Sequence, residues 1–127
     1  MTIILDSSAM LALLRDESGA EVVAAAMPKA VMCAVNVAEV AERLCRDFEQ
    51  EAVRKSLELI LPITIAVDKE LAIAAGFMRN ATMNAGLSLG DRFCLALGAK
   101  MNVPVLTADR AWLKIASAIG VEVQLVR

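Results

Sequence analysis

The sequence predicts an α/β fold, built as a parallel five-stranded sheet with helices on both faces. Short apolar runs alternate along the chain with stretches of helical periodicity, which is the pattern of parallel strands joined by crossover helices. The chain has 127 residues, the size of a single domain. Of these residues 58% are hydrophobic and 22% are charged, a composition that supports a buried core and excludes a disordered chain.

Five short apolar runs are predicted as strands. They are IIL at 3–5, AVMCAV at 30–35, ITIAV at 63–67, VPVLT at 103–107 and VEVQLV at 121–126. About seven helical segments connect them. We expect these at 7–17, up to Pro28, 36–48, around 53–60, 68–84, 88–100 and 109–119.

The long helix opened by Asn36 is expected to bury an apolar face that ends at Phe48. Pro62 stops the next helix, and Gly120 ends the last one. Each predicted strand is thus separated from the next by turn or capping residues, as a doubly wound sheet requires.

Charge and histidine content exclude several kinds of function. Lys and Arg number 13 against 15 Asp and Glu, so the net charge is −2 and the chain cannot coat nucleic acid by bulk charge. Binding to RNA or DNA would need a local patch or a metal ion. The chain has no histidine, which excludes histidine triads, histidine acid–base pairs and zinc sites built on histidine.

The cysteines and the apolar runs indicate a cytoplasmic protein. Cys33, Cys45 and Cys94 are widely spaced and match no metal or redox motif, so we expect three buried free thiols in a reducing compartment. No apolar run approaches the ~18 residues of a membrane span. The MTIILD start lacks a basic segment and is not expected to be a signal peptide.

Four acidic residues fall at or near the carboxyl ends of predicted strands, where open α/β sheets bind ligands. Asp6 ends the first strand, and Asp109 lies just past the fourth. Glu39 is placed in the first turn of the helix after the second strand. Asp91 begins the helix before the fourth strand, so it shares this edge only if that helix runs antiparallel to the strand.

These acids have two interpretations. Asp6 and Asp109 could be ordinary N-caps, Asn36-x-x-Glu39 reads as a capping box, and a weaker box begins at Ser88. Taken together, however, four acids at one edge with no Lys or His among them would repel one another. A bound divalent cation resolves that repulsion, and an all-oxygen ligand set suits Mg²⁺ or Mn²⁺ rather than zinc.

Polar and basic neighbours fit a metal-dependent site. Ser8, Thr107 and Asn36 can orient the carboxylates or a metal-bound water, although each is also common at a helix start. Arg43, Arg92 and Arg110 could surround the acids and bind phosphates. The alternative is that these side chains are simply solvated, and that Arg43 forms an i,i+4 ion pair with Glu39. The chemistry that suits such a site is phosphodiester hydrolysis by a metal-activated water, which needs neither histidine nor a covalent nucleophile.

The segments IILDSSAMLALL, NVAEVAERL, LSLGDRFCLALG and PVLTADRAW resemble the PIN-domain ribonucleases, in the order and at the spacing of that family. Among these they are most similar to VapC-type toxins of toxin–antitoxin pairs. The resemblance covers nearly the whole chain. It implies a single PIN-like domain over 1–127, with a three-layer α/β/α architecture and a strand order of 3-2-1-4-5.

The same resemblance implies an endoribonuclease that depends on Mg²⁺ or Mn²⁺, acts on RNA, forms a homodimer and is neutralised by a small VapB-like antitoxin. It places the catalytic and metal-binding acids at Asp6, Glu39, Asp91 and Asp109. Ser8 and Thr107 match the family's hydroxyl positions. The high apolar content also favours a homodimer, with helices of the 36–60 region as candidate surface.

Two other functions stay open at this point. One is a doubly wound Mg²⁺-dependent phosphatase or phosphoryl-transfer domain, although Ser8 stands where such a phosphatase needs a second aspartate. The other is a non-catalytic PIN-like binding module, whose usual mark would be the loss of acids. A metal titration combined with an assay on generic RNA separates the three.

Overall fold

The computed structural model describes residues 1–127. Its strands are β1 (Ile3–Leu5), β2 (Ala30–Cys33), β3 (Ile63–Ile65), β4 (Val105–Thr107) and β5 (Val123–Leu125). Its helices are α1 (Ser7–Leu14), α2 (Ala20–Ala26), α3 (Ala34–Leu44), α4 (Gln50–Ile60), α5 (Lys69–Phe77), α6 (Arg79–Thr82), α7 (Leu89–Met101) and α8 (Ala116–Ile119). Three 3-10 turns complete the chain: Met27–Lys29, Met83–Ala85 and Arg110–Lys114.

The five strands form one sheet in the order β3-β2-β1-β4-β5, and every neighbouring pair is parallel. This confirms the predicted fold class and strand order. Strand β1 lies at the centre, where Ile4 is in register with Val31 on one side and Val105 on the other. A run of three large aliphatic residues suits this position because a central parallel strand is buried on both faces.

The sheet separates two hydrophobic cores of 15 buried residues each. Ile3 and Leu5 of β1 point into the core that contains residues of α1–α4, whereas Ile4 points into the core formed with α5 and α7. This alternation follows from the two-residue period of a strand. The helices therefore cover both faces, as predicted. None of them is both long and apolar enough to cross a membrane.

Helix α7 runs antiparallel to β4, which meets the condition set for Asp91. A Cβ added at Gly98, late in α7, would lie 2.8 Å from Cγ1 of Val105 at the start of β4. Gly90, in the first turn of α7, instead contacts Glu39 on the helix that follows β2. The N-terminus of α7 therefore lies at the carboxyl edge of the sheet.

The predicted capping box at Asn36 is wrong. Strand β2 ends at Cys33 and α3 begins at Ala34, so Cys33 is the N-cap and Asn36 lies inside the first turn. The apolar pair at 34–35 fits a strand or a helix equally well, which is why the pattern misplaced the boundary. Glu39 accordingly lies in the second turn of α3, not the first.

Several helix ends also differ from prediction. Helix α1 stops at Leu14 rather than at 17 because Asp16 adopts a positive φ of 50°. Helix α3 stops at Leu44, which leaves Phe48 outside it and 61% exposed. The predicted helix at 68–84 is interrupted at Met78 and divides into α5 and α6, which brings the number of α-helices to eight. The predicted helix at 109–119 begins as a 3-10 turn, and only its last residues form α8. Of the three thiols, Cys45 is exposed and so was wrongly expected to be buried.

Candidate functional site

Asp6 is the most deeply buried acid at the carboxyl edge, with 2% of its surface exposed. Its Oδ1 accepts hydrogen bonds from the Ser8 hydroxyl at 2.7 Å and from the Ala9 N–H at 2.9 Å, the second being the N-cap bond of α1. Its Oδ2 accepts from the Thr107 hydroxyl at 2.9 Å. Burial raises the pKa of Asp6 to about 6, although these hydrogen bonds oppose that rise.

The hydroxyls of Ser8 and Thr107 join β1 to the loop after β4. Thr107 Oγ1 accepts from the Asp109 N–H at 3.0 Å, and Ser8 Oγ accepts from the Ala108 N–H at 2.9 Å. The two hydroxyl oxygens lie 3.3 Å apart. Thr107 is fully buried, so it holds the Asp6 carboxylate and the backbone of Asp109 in fixed relation.

Glu39 is held on one side of the site by Asn36 and by α7. The Asn36 Nδ2 donates to Glu39 Oε1 at 2.9 Å and to the Gly90 carbonyl at 3.0 Å. Asn36 is 1% exposed, and its Oδ1 is buried without a hydrogen-bond partner. The Glu39 carboxylate fills the space over Gly90, since a Cβ there would overlap it.

Asp91 and Asp109 act as helix caps. The Ser88 N–H donates to Asp91 Oδ2 at 2.9 Å, and the Asp91 N–H donates to Ser88 Oγ at 3.2 Å, which completes the predicted capping box of α7. Asp109 is exposed, and its Oδ1 accepts from the Ala111 N–H at 3.0 Å. Both carboxylates thus satisfy backbone donors as well as facing the site.

The charges of the four acids act on one another. Burial raises the pKa of Asp91, and the negative charges of Glu39 and Asp109 raise it further. The charge of Asp91 in turn raises the pKa of Asp6. However, no three acidic or cysteine side chains lie close enough together to hold one ion. The structure brings the four acids to one edge and does not close them into a ready ligand cluster.

The three arginines that could contact phosphates make no ion pair with the four acids. Arg92 donates from Nε to Thr82 Oγ1 at 2.9 Å, and Arg110 donates to the backbone carbonyl of Arg127 at 2.9 Å. Arg43 is exposed and forms no ion pair with Glu39, so the i,i+4 alternative does not hold for that pair.

Gly90 and Thr82 belong to the site and were missed in the sequence. Glycine is disfavoured within a helix, so its place directly before Asp91 was a usable signal for a close contact. Thr82 carried no signal, because its contact with Arg92 depends on how α6 packs against α7. Burial also raises the pKa of the Cys33 and Cys94 thiols, which keeps both neutral beside the acids.

The chain belongs to the PIN domain family, whose model matches residues 3–118. Its fold is similar to that of DNA-bound VapBC from Salmonella typhimurium, with a TM-score of 0.78 at 13% identity, covering 100% of this chain and 99% of that chain. A toxin–antitoxin complex from Klebsiella pneumoniae has a TM-score of 0.74 at 16% sequence identity, and the match covers 99% of this chain and 98% of that chain. FitAcB from Neisseria gonorrhoeae has a TM-score of 0.71 at 20% sequence identity, and the match covers 96% of each chain. No curated protein matches the chain significantly.

Proposed function

We propose that the protein is a Mg²⁺- or Mn²⁺-dependent endoribonuclease and the toxic member of a toxin–antitoxin pair. The observation that carries the proposal is the buried Asp6 carboxylate with Asp91 as its charged neighbour, at the sheet edge that Glu39 and Asp109 also reach. Family membership supports a nuclease. The similar structures described as VapBC or toxin–antitoxin complexes support the pairing with an antitoxin.

The donor chemistry of the residues present fits a hard divalent cation, although the four carboxylates do not converge on one point. Asp6, Glu39, Asp91 and Asp109 supply only oxygen donors, and no basic side chain pairs with any of them. Burial raises the pKa of Asp6 and of Asp91, and the charge of a neighbouring carboxylate raises each further, so a bound cation would stabilise the ionised form of both. When bound, a divalent cation activates a water and stabilises the charge that develops on a phosphoryl group.

The residues of the proposed site have different roles. Asp6 is kept rigid by its three hydrogen bonds, and Glu39 is fixed by Asn36. Asp91 and Asp109 are less buried and can turn from their capping positions towards a ligand. Arg43, Arg92 and Arg110 are proposed to contact RNA phosphates, and Thr82 orients the Arg92 guanidinium through its Nε.

The decisive experiment is cleavage of generic RNA by purified protein with and without EDTA. Asp6→Asn and Asp91→Asn are expected to abolish cleavage while the protein stays folded. Activity that survives excess EDTA would contradict the proposal. Hydrolysis of small phosphate esters without RNA cleavage would instead indicate the phosphatase, and ion binding without either activity would indicate a binding module.

Toxicity is tested in growing cells. Expression of the wild type alone should arrest growth, and co-expression of a neighbouring small gene should restore it. Asp6→Ala, shown to express as folded protein, is the control and should permit normal growth. Equal growth of wild type and control would contradict the toxin assignment.

We propose that the antitoxin silences the site in two ways. Its apolar segment would occupy a groove of about 170 Å³ between α1, α3 and α4, lined by Leu14, Leu44 and Phe48 among others. A basic residue of the same partner, most effectively an arginine, would pair bidentately with the carboxylates. Inhibition by an antitoxin peptide should therefore weaken as Mg²⁺ or Mn²⁺ rises at fixed ionic strength. An inhibition constant unaffected by metal and by Arg→Ala in the peptide would contradict this mechanism.

A homodimer is proposed to cover exposed apolar side chains. Leu59 on α4, within the 36–60 region, is 84% exposed, and Phe77 on α5 is 80% exposed. Light scattering should give twice the mass of the 13.5 kDa chain at micromolar concentration. Leu59→Lys should yield a monomer. If Phe77→Lys does so and Leu59→Lys does not, the interface lies on α5 rather than in the 36–60 region.

A further inference from the structure

The contact between α3 and α7 at the site depends on one buried amide. The two hydrogens of the Asn36 side-chain amide donate to Glu39 Oε1 at 2.9 Å and to the Gly90 carbonyl at 3.0 Å. The first acceptor is a carboxylate on the same helix, one turn further on. The second is the backbone of α7 next to Asp91. A single side chain thus ties one proposed ligand to the helix that carries another.

The amide is retained at a cost to stability. Asn36 is 1% exposed, and its Oδ1 is buried without a hydrogen-bond partner. A buried polar atom that is left unpaired destabilises a fold, so native structures hold few of them. Residues that break such a rule without local compensation tend to be those that a functional site requires.

Gly90 supplies the matching half of the contact. It occupies the interior of the first turn of α7, where alanine would be the more favourable residue. The three atoms nearest to a Cβ at this position are the terminal atoms of the Glu39 carboxylate, and the Cβ would overlap all of them. The atoms displaced are the far end of a flexible side chain, so alanine would move the carboxylate without disturbing the fold.

The geometry points to Asn36 and Gly90 as a pair of positioning residues that hold the Glu39 carboxylate in the orientation used for divalent-cation binding. Asn36 fixes Glu39 Oε1 by donation, and Gly90 leaves room for the carboxylate against α7. This inference rests on the proposed function, since it assigns Glu39 to the metal site. Neither residue is expected to touch RNA or the cation.

The test compares Gly90→Ala and Asn36→Leu with a matched control, Gly76→Ala. Gly76 is also a helical glycine, on α5, but a Cβ there would meet nothing within 4 Å. Thermal unfolding is followed in EDTA, and Mn²⁺ binding and RNA cleavage are measured on the same preparations. Gly76→Ala should raise the unfolding temperature by about 3–5 °C and leave Mn²⁺ affinity and cleavage unchanged.

Gly90→Ala should be at least as stable as the wild type in EDTA, yet should lose about 10–100-fold in Mn²⁺ affinity and in cleavage. Asn36→Leu, which keeps the branched shape of the side chain but cannot donate a hydrogen bond, should show the same loss of affinity. A merely structural role predicts the reverse, with lower stability and normal Mn²⁺ affinity. Wild-type Mn²⁺ affinity in both variants would overturn the assignment.

A further measurement separates this inference from the proposed nuclease function. In EDTA, the NMR signals of the Asn36 side-chain amide report its bond to Glu39. They should shift in Gly90→Ala and stay unchanged in Gly76→Ala. If the wild type cleaves no RNA but these signals shift as expected, the nuclease proposal fails and the positioning contact stands. If they do not shift, the contact itself is refuted.

Discussion

The two halves of the acidic site are built in different ways. Asp6, Ser8 and Thr107 form a buried half in which every carboxylate oxygen accepts a hydrogen bond and the donors belong to strand ends or to the first residues after them. Asp91 and Asp109 form a half that is more exposed, with each carboxylate bonded to one backbone N–H at a helix or turn start. The difference indicates that the Asp6 carboxylate is held rigidly, whereas those of Asp91 and Asp109 are freer to change orientation.

The largest expected effects are those of Asp6 in the buried half and of Asp91, the less exposed acid of the other half. Asp6→Asn removes the charge that the buried half is built to hold and should lower RNA cleavage about 1,000-fold or more, equivalent to several kcal/mol of transition-state stabilisation. Asp109→Asn, in the more exposed half, should lose less. Single-turnover rates at saturating Mn²⁺ measure both. Equal losses would show that Asp6 and Asp109 contribute alike.

Thr107 tests whether the two halves are coupled. Its hydroxyl donates to Asp6 and accepts from the Asp109 N–H, so Thr107→Val breaks the link between them at constant volume. Cleavage should fall about 10–100-fold, and the unfolding free energy should drop by about 1–3 kcal/mol. Thr107→Ser keeps the hydroxyl and serves as the control. A valine variant as active as the serine variant would show that the link is unnecessary.

The pH dependence of the free energy of unfolding measures how much the buried charge of Asp6 destabilises the folded protein. Folded Asp6 has a pKa raised by burial to about 6, against about 3.9 in an unfolded chain. The free energy of unfolding is therefore highest below about pH 4, where Asp6 is protonated in both states. It declines as the pH rises to about 6, because the buried carboxyl loses its proton, and the Asp6 contribution is constant above that pH. The difference between the two pKa values corresponds to at most roughly 3 kcal/mol.

In EDTA at pH 7, Asp6→Asn should accordingly be more stable than the wild type by on the order of 1 kcal/mol, because asparagine relieves the buried charge but cannot accept from Thr107. Denaturant unfolding of both proteins between pH 4 and pH 7 measures this. The variant's advantage should vanish near pH 4. A constant difference in unfolding free energy across this pH range would show that the Asp6 charge does not destabilise the fold.

The smallest effects are expected at the arginines. Arg43→Ala should weaken RNA binding only a few-fold and reduce the salt dependence of binding by about one charge, since it would remove the one exposed phosphate contact proposed for this residue. Arg92→Ala should have the larger effect of the two, because Thr82 holds the Arg92 guanidinium in place. Binding of RNA by the inactive Asp6→Asn protein at several salt concentrations tests this. An effect of Arg43 equal to that of Arg92 would remove the role given to Thr82.

The sequence was most informative where local order determines position. Asp6 directly follows a run of three aliphatic residues, and this alone puts its carboxylate at the end of a central strand. The alternation of strands and helices also predicted that the other acids lie at the carboxyl edge of the sheet. It was least informative at boundaries where neighbouring residues suit two conformations, as with the Ala34–Val35 pair that moved the start of α3 and put Asn36 inside the helix.

Other features of the site depend on tertiary contacts that no local pattern encodes. Gly90 meets Glu39 across 51 positions of the chain, and Asn36 reaches the Gly90 carbonyl across 54. These contacts emerge only once α3 and α7 are packed on the same edge of the sheet.

The bond between Thr107 and Asp6 joins residues separated by 101 positions, and β1 is the first strand made while β4 is the fourth. During synthesis, β1 therefore cannot pair with its second neighbour until the chain up to β4 has been made. Pairings between distant parts of a chain also form slowly. The buried half of the site therefore cannot assemble on a nascent chain before Thr107, at the end of β4, has been made.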